Sequence, residues 1–181
     1  MRHLLLTLAL FALAAGINTG SVALEQQRQW LTKPFGSRAW AVHMVLITPG
    51  WLAFLAFDAQ LNYQFQWPLP TVLRPLGAVL VAAALILFAM SFWQLGMRQT
   101  FNGHFFGWKA SKPLSSGAFR WLKNPMYDSF CLGFIGGALV LTNGAYLVLA
   151  VASYLLLNRF EAVVENRPFT EVPVVGVPLV P

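Results

Sequence analysis

Charge is scarce in this sequence. Only 10% of its 181 side chains are Asp, Glu, Lys or Arg, against about 25% in soluble domains. Cysteine is scarcer still: Cys131 stands alone in an apolar run, which excludes a disulfide framework and a cysteine-based metal site and leaves it as a small buried hydrophobe. What abounds is apolar surface, with 57% hydrophobic residues and a mean hydropathy of +0.62. A helix needs about 20 residues to cross hydrocarbon. This length therefore holds a single integral membrane domain over residues 1–181, with no room for a separate soluble catalytic unit. The twelve basic residues exceed the six acidic ones, for a net charge of +6. In a soluble protein such an excess raises the question of nucleic acid. Here the basic residues flank apolar runs, so their expected partners are anionic lipid headgroups, and no nucleic acid is expected.

Four uncharged runs can be measured against the bilayer: His3 to Leu24, Ala39 to Phe57, Pro75 to Met97 and Ser129 to Asn158. The first resembles a secretory signal up to Ala14, Ala15 and Gly16, but it continues to Leu24, which favours a retained helix. Thr48, Pro49 and Gly50 predict a kink in the second. The fourth, at thirty residues, makes a straight helix of about 45 Å, too long for about 30 Å of hydrocarbon without unusual tilt. Thr142, Asn143 and Gly144 at its centre are turn formers. The expected reading is a C-terminal helical hairpin, Ser129 to Leu141 going in and Ala145 to Asn158 returning. A single crossing splits the Lys and Arg residues eight to four between the two sides, whereas a hairpin carries Arg159 and Arg167 across and makes the split ten to two. Cytoplasmic loops are enriched in Lys and Arg, so the hairpin fits better. The predicted fold is an all-α polytopic membrane bundle of three spanning helices plus that hairpin. An extended tail, residues 168–181, carries four prolines.

No span interior carries a charged side chain in this reading, which argues against proton-coupled transport and ion conduction. Polar chemistry gathers instead in the stretch from Arg98 to Asp128. It contains His104, glycines at 103, 107 and 117, many aromatic rings, and Asn124 followed by Pro125. Rings beside cations suit an interfacial segment. The glycines let backbone approach a ligand closely or take positive φ, and Pro125 biases Asn124 toward extended backbone. With the hairpin, Glu161 and Glu165 return to this side and bring carboxylates able to bind ribose hydroxyls or an amino group.

At these residues the chain resembles the class II phosphatidylethanolamine and phospholipid N-methyltransferases, membrane enzymes that use S-adenosylmethionine. The resemblance rests on Leu95-Gly96, Thr100-Phe101, Gly103 and Phe106-Gly107, on Asn124-Pro125-Met126-Tyr127, and on Pro168-Phe169-Thr170, with a weaker echo at Phe35-Gly36-Ser37. It extends over roughly residues 15 to 172. The more distant isoprenylcysteine carboxyl methyltransferases carry a similar element where this chain has Lys123 to Tyr127. Two positions depart from the family pattern. A Gly-x-Gly pair is replaced by Ala82-Ala83-Ala84, and paired glutamates before Pro-Phe are replaced by Glu165-Asn166-Arg167.

The resemblance implies a cofactor site formed by Ala82, Ala84, Gly103, Gly107, Asn124, Pro125, Tyr127, Glu161 and Glu165, with no metal. Among residues able to deprotonate an amine acceptor, His104 is the first candidate and Glu165 the second. His43, among apolar residues, is read as structural. The implied activity is methyl transfer from S-adenosylmethionine to a membrane phospholipid amine, on the cytoplasmic side of a bacterial inner membrane or the endoplasmic reticulum. Methyl transfer to another lipophilic acceptor, such as a prenylcysteine carboxylate or a thiol, and a non-catalytic protein of the same fold remain open.

Overall fold

A computed structural model describes residues 1–106, 116–122, 124–160 and 164. Its helices are α1 (Arg2–Arg28), the short α2 (Thr32–Phe35), α3 (Ala39–Gln64), α4 (Arg74–Thr100), α5 (Pro125–Val140) and α6 (Ala145–Phe160), with single 3-10 turns between them. Three helical segments, Arg2–Arg28, Thr32–Gln64 and Thr71–Phe106, are long and apolar enough to cross a membrane. The fold is an all-α membrane bundle. Its outer surface carries large apolar residues such as Val45, Leu52, Leu85 and Ile86, while Thr7, His43, Ser91, Ser129 and Asn143 are buried. That inversion suits a lipid solvent, in which apolar side chains gain nothing by leaving the surface.

The helices run past the charges that bound the uncharged stretches. α1 continues through Glu25 to Arg28, and α3 continues seven residues beyond Phe57 to Gln64. A charge near a helix end reaches headgroups, so it marks the hydrocarbon boundary and not the end of the helix. The expectation of charge-free spans is corrected accordingly: Asp58 lies within α3. The helical backbone is unbroken at Pro49 but broken in α4. α3 passes through Pro49 as one helix, with the Thr48 hydroxyl donating to the Met44 carbonyl at 2.6 Å. The break in helical backbone falls in α4, at Gly96 (φ 71°, ψ 164°).

Two close helix pairs organise the bundle. α1 packs along α3, where Gly50 sits against Ala14. α4 packs along α5 through Gly77 and Gly136, and a β-carbon on Gly77 would lie 2.7 Å from Leu139 Cβ. Small residues at such a crossing let two backbones approach. A turn at Leu141–Gly144 divides residues 129–158 between α5 and α6, which pack against each other. The turn takes its positive φ at Thr142 (53°), although Gly144 is next but one.

Asn143, almost fully buried, holds this turn against the α3–α4 connection. Its side-chain oxygen accepts from the Trp67 and Ala145 amides at 3.0 Å each, and its amide donates to the Phe65 carbonyl at 2.7 Å. Beneath it lies a core of Leu4, Phe11, Phe54, Leu61, Tyr146 and Leu149. Here the N-terminus of α1, the C-terminus of α3 and the α5–α6 turn meet. α5 and α6 have sixteen residues each, about 24 Å long and shorter than the hydrocarbon layer.

Candidate active site

At the other end of the bundle, short elements assemble around a second apolar cluster. Val22 of α1, Leu31, Ala39 of α3, Phe105, Phe106, Phe160 of α6 and Val164 form it, with Trp40 and Tyr127 packed against it. α1 ends at Gln29 in the left-handed region, and the buried Glu25 carboxylate accepts from the backbone amide of Leu31 at 2.9 Å and, more weakly, from that of Thr32. A buried carboxylate is retained only when so paired, and the pairing satisfies amides that open α2. Gln26 reaches the Val164 carbonyl at 3.1 Å and ties α1 to the segment after α6.

His43 is fully buried. It shares a 2.9 Å hydrogen bond with the Ser21 hydroxyl and stacks on Phe106 at 4.4 Å. It therefore braces α1, α3 and the turn Gly103–Phe106 together. The Trp40 indole donates to the Phe101 carbonyl at 2.9 Å, and the Asn102 amide donates to Asn18 Oδ1 at 3.1 Å. These contacts fold the end of α4 back over α1 and α3. Asn102 takes the positive φ (61°) in that reversal. Gly103 serves a close approach, since a β-carbon there would lie 2.6 Å from the Arg98 carbonyl oxygen. Its smallness thus answers an internal contact.

Asn124 precedes α5 as its N-cap, and Pro125 occupies the first turn, where a missing amide hydrogen costs nothing. The tetrapeptide Asn124 to Tyr127 is consequently a helix start. The Tyr127 ring meets Phe160 edge-on at 6.5 Å. The beginning of α5 and the end of α6 therefore share one end of the molecule, beside Phe105 and Phe106.

The phospholipid methyltransferase family matches residues 72–172, from the turn before α4 to beyond α6. The chain belongs to that family. Human phosphatidylethanolamine N-methyltransferase is 28% identical over 151 residues, which cover 81% of this chain and 75% of the relative. No solved structure matches.

For a member of the phospholipid methyltransferase family, the residues expected to bind a cofactor are placed unevenly. Gly103, Asn124, Pro125 and Tyr127 come together at this end, with His104 beside Gly103, its half-buried ring against Phe105 at 3.9 Å. Ala84 is buried next to Gly133 of α5, whereas Ala82 is exposed on the outer face of α4. Positions two apart on a helix point about 200° away from each other, so only one of this pair can face inward. Gly107, Glu161 and Glu165 lie outside the described residues. The sequence reading missed Glu25, Ser21, Asn18 and Trp40, which build the floor of this end. A polar residue inside an apolar run was the available signal for Ser21 and Asn18; nothing local marks Glu25 as the partner of amides six and seven residues on.

Proposed function

We propose that this protein transfers a methyl group from S-adenosylmethionine to the amine headgroup of a membrane phospholipid, at the end of the bundle that holds Asn124. The observation that carries the reading is the placement of the Asn124–Tyr127 helix start against Phe160 and Phe105, inside the segment matched by the family. The activity of the human relative favours an ethanolamine headgroup as acceptor. Among described residues whose side chains are placed, Arg28, Lys33, Arg38, Arg98 and Arg120 belong to elements at this end, and Arg2 and Arg74 begin helices at the other. Such a bias supports a cytoplasmic orientation for the Asn124 end, with α5 and α6 as a hairpin that returns to it.

The described residues suit a nucleoside: Tyr127 presents an aromatic edge, and Asn124 an amide able both to donate and to accept. Bound there, S-adenosylmethionine supplies an electrophilic methyl on a sulfonium, whose sulfur retains the electron pair of the broken bond. The protein's own task is to align donor and acceptor in line and keep water out. The packed rings of Phe105, Phe106 and Phe160 serve the second purpose. Asn124 and Tyr127 orient the donor, Gly103 and Gly107 shape the backbone around it, and Glu161 and Glu165 are assigned to its hydroxyl and amino groups. His104 is assigned as the group that takes the ammonium proton before the amine attacks, with Glu165 as the alternative.

Vesicles containing the purified protein, given methyl-labelled S-adenosylmethionine, should accumulate label in methylated ethanolamine phospholipids. Label in a prenylcysteine ester or a thioether would replace the acceptor, and no label together with no saturable donor binding would remove the enzymatic reading. His104→Ala should lower turnover by at least about 100-fold, the usual contribution of a positioned acid or base, while donor affinity measured by calorimetry stays unchanged.

A further inference from the structure

A cavity of about 640 Å³ lies between α3 and the α4–α5 pair, within the range of about 300–1,000 Å³ typical of small-molecule sites. α4 and α5 touch at Gly77, and α3 walls the cavity on its other side. Its walls are apolar, formed by Leu85, Phe88, Gly133 and Phe134 among others. Ser129, near the start of α5, lines it toward Asn124, and its other polar groups gather toward the end that holds Asn143: Asp58, Asn62 and Tyr63 of α3, with Tyr146 of α6, whose hydroxyl donates to the Asp58 carbonyl at 3.3 Å. This is the opposite end from Asn124.

Among the described residues Asp58 is the only charged group on the lining, and no Lys, Arg or His borders the cavity. One carboxylate oxygen, Oδ1, is buried without a hydrogen-bond partner among the described residues, so it is the rest of the Asp58 side chain that borders the cavity. Buried acceptors of that kind are expensive and are normally satisfied. Asp58 lies six residues before the end of α3, about 9 Å along the axis, which is headgroup depth for a spanning helix. An apolar trench ending in an unneutralised carboxylate at headgroup depth is complementary to a lipid with a protonated amine. An anionic headgroup would be repelled there, and a neutral one would leave the carboxylate without a counter-charge.

We infer that this cavity binds one lipid by its chains, with the lipid's ammonium group on Asp58, at a site separate from the methyl-transfer end. The test is native mass spectrometry of the full chain extracted in equal amounts of phosphatidylethanolamine and phosphatidylglycerol with identical chains. The wild type should retain one phosphatidylethanolamine in preference by about tenfold, equivalent to ~1.4 kcal/mol. Asp58→Asn, which keeps the side-chain shape, should abolish that preference, and Gly133→Leu, which fills the trench, should reduce retention of either lipid. Tyr127→Ala should keep the preference while losing methyl transfer, so a failure of the proposed activity is read separately from a failure here. Equal retention of both lipids by the wild type, an undiminished preference in Asp58→Asn, or a second copy of the chain that Gly133→Leu releases would each overturn the assignment.

Discussion

The two ends of this bundle are held by different physics. At the Asn143 end one buried amide joins three backbone partners across the α3–α4 connection and the α5–α6 turn. At the Asn124 end the contacts are shared among several side chains. The segments after α1, before α3, after α4 and after α6 converge on stacked rings and on isolated contacts such as Glu25 with Leu31 and Ser21 with His43. The first arrangement fixes chain reversal in one conformation. The second gathers short elements from distant parts of the chain around one apolar cluster.

That contrast can be broken most directly at Asn143. Asn143→Leu strands the Trp67 and Ala145 amides and the Phe65 carbonyl, at about 1–3 kcal/mol for each buried group, so a loss of ~4 kcal/mol is expected from detergent-solubilised unfolding. A loss under about 1 kcal/mol would mean the turn does not depend on that network. At the opposite end, Tyr127→Ala should leave the unfolding midpoint almost in place and cut methyl transfer by about 100-fold, or ~2.7 kcal/mol of barrier; equal losses in both would make Tyr127 a packing residue only.

Smaller effects sharpen the same comparison. Glu25→Ala frees the amides that open α2 and should cost about 2 kcal/mol, with amide hydrogen exchange at Leu31 and Thr32 accelerated and exchange at Asn143 unchanged. Ser21→Ala removes one buried hydrogen bond to His43, about 1 kcal/mol, and should perturb the His43 ring signals in NMR; an unaltered ring environment would remove the bracing role given to this pair.

The apolar runs could be read in order along the chain because excluding charge from hydrocarbon is a property of each local stretch. The turn at residues 142–144 was legible for the same reason, and the Asn124–Tyr127 element through its resemblance to a family. The helix ends were less so: Asp58 and Glu25 sit inside helices because a charge within a few turns of an end still reaches polar surroundings. The glycine at 103 was legible as special but not as the neighbour of the Arg98 carbonyl, since that contact exists only once α4 has stopped and the chain has turned back.

Sequence alone determined that this is a helical membrane protein, where its long apolar stretches lie, and which family its motifs resemble. Only the tertiary structure decided that Ala84 faces inward and Ala82 outward, that Glu25 serves α2, that α4 and α5 touch at Gly77 and Gly136, and that Asp58 borders a cavity at the end opposite Asn124. The reason is the solvent. In lipid an apolar helix surface carries little pattern to distinguish its buried face, so rotation and partnering follow from packing and hydrogen bonding between helices, which no single stretch of sequence contains.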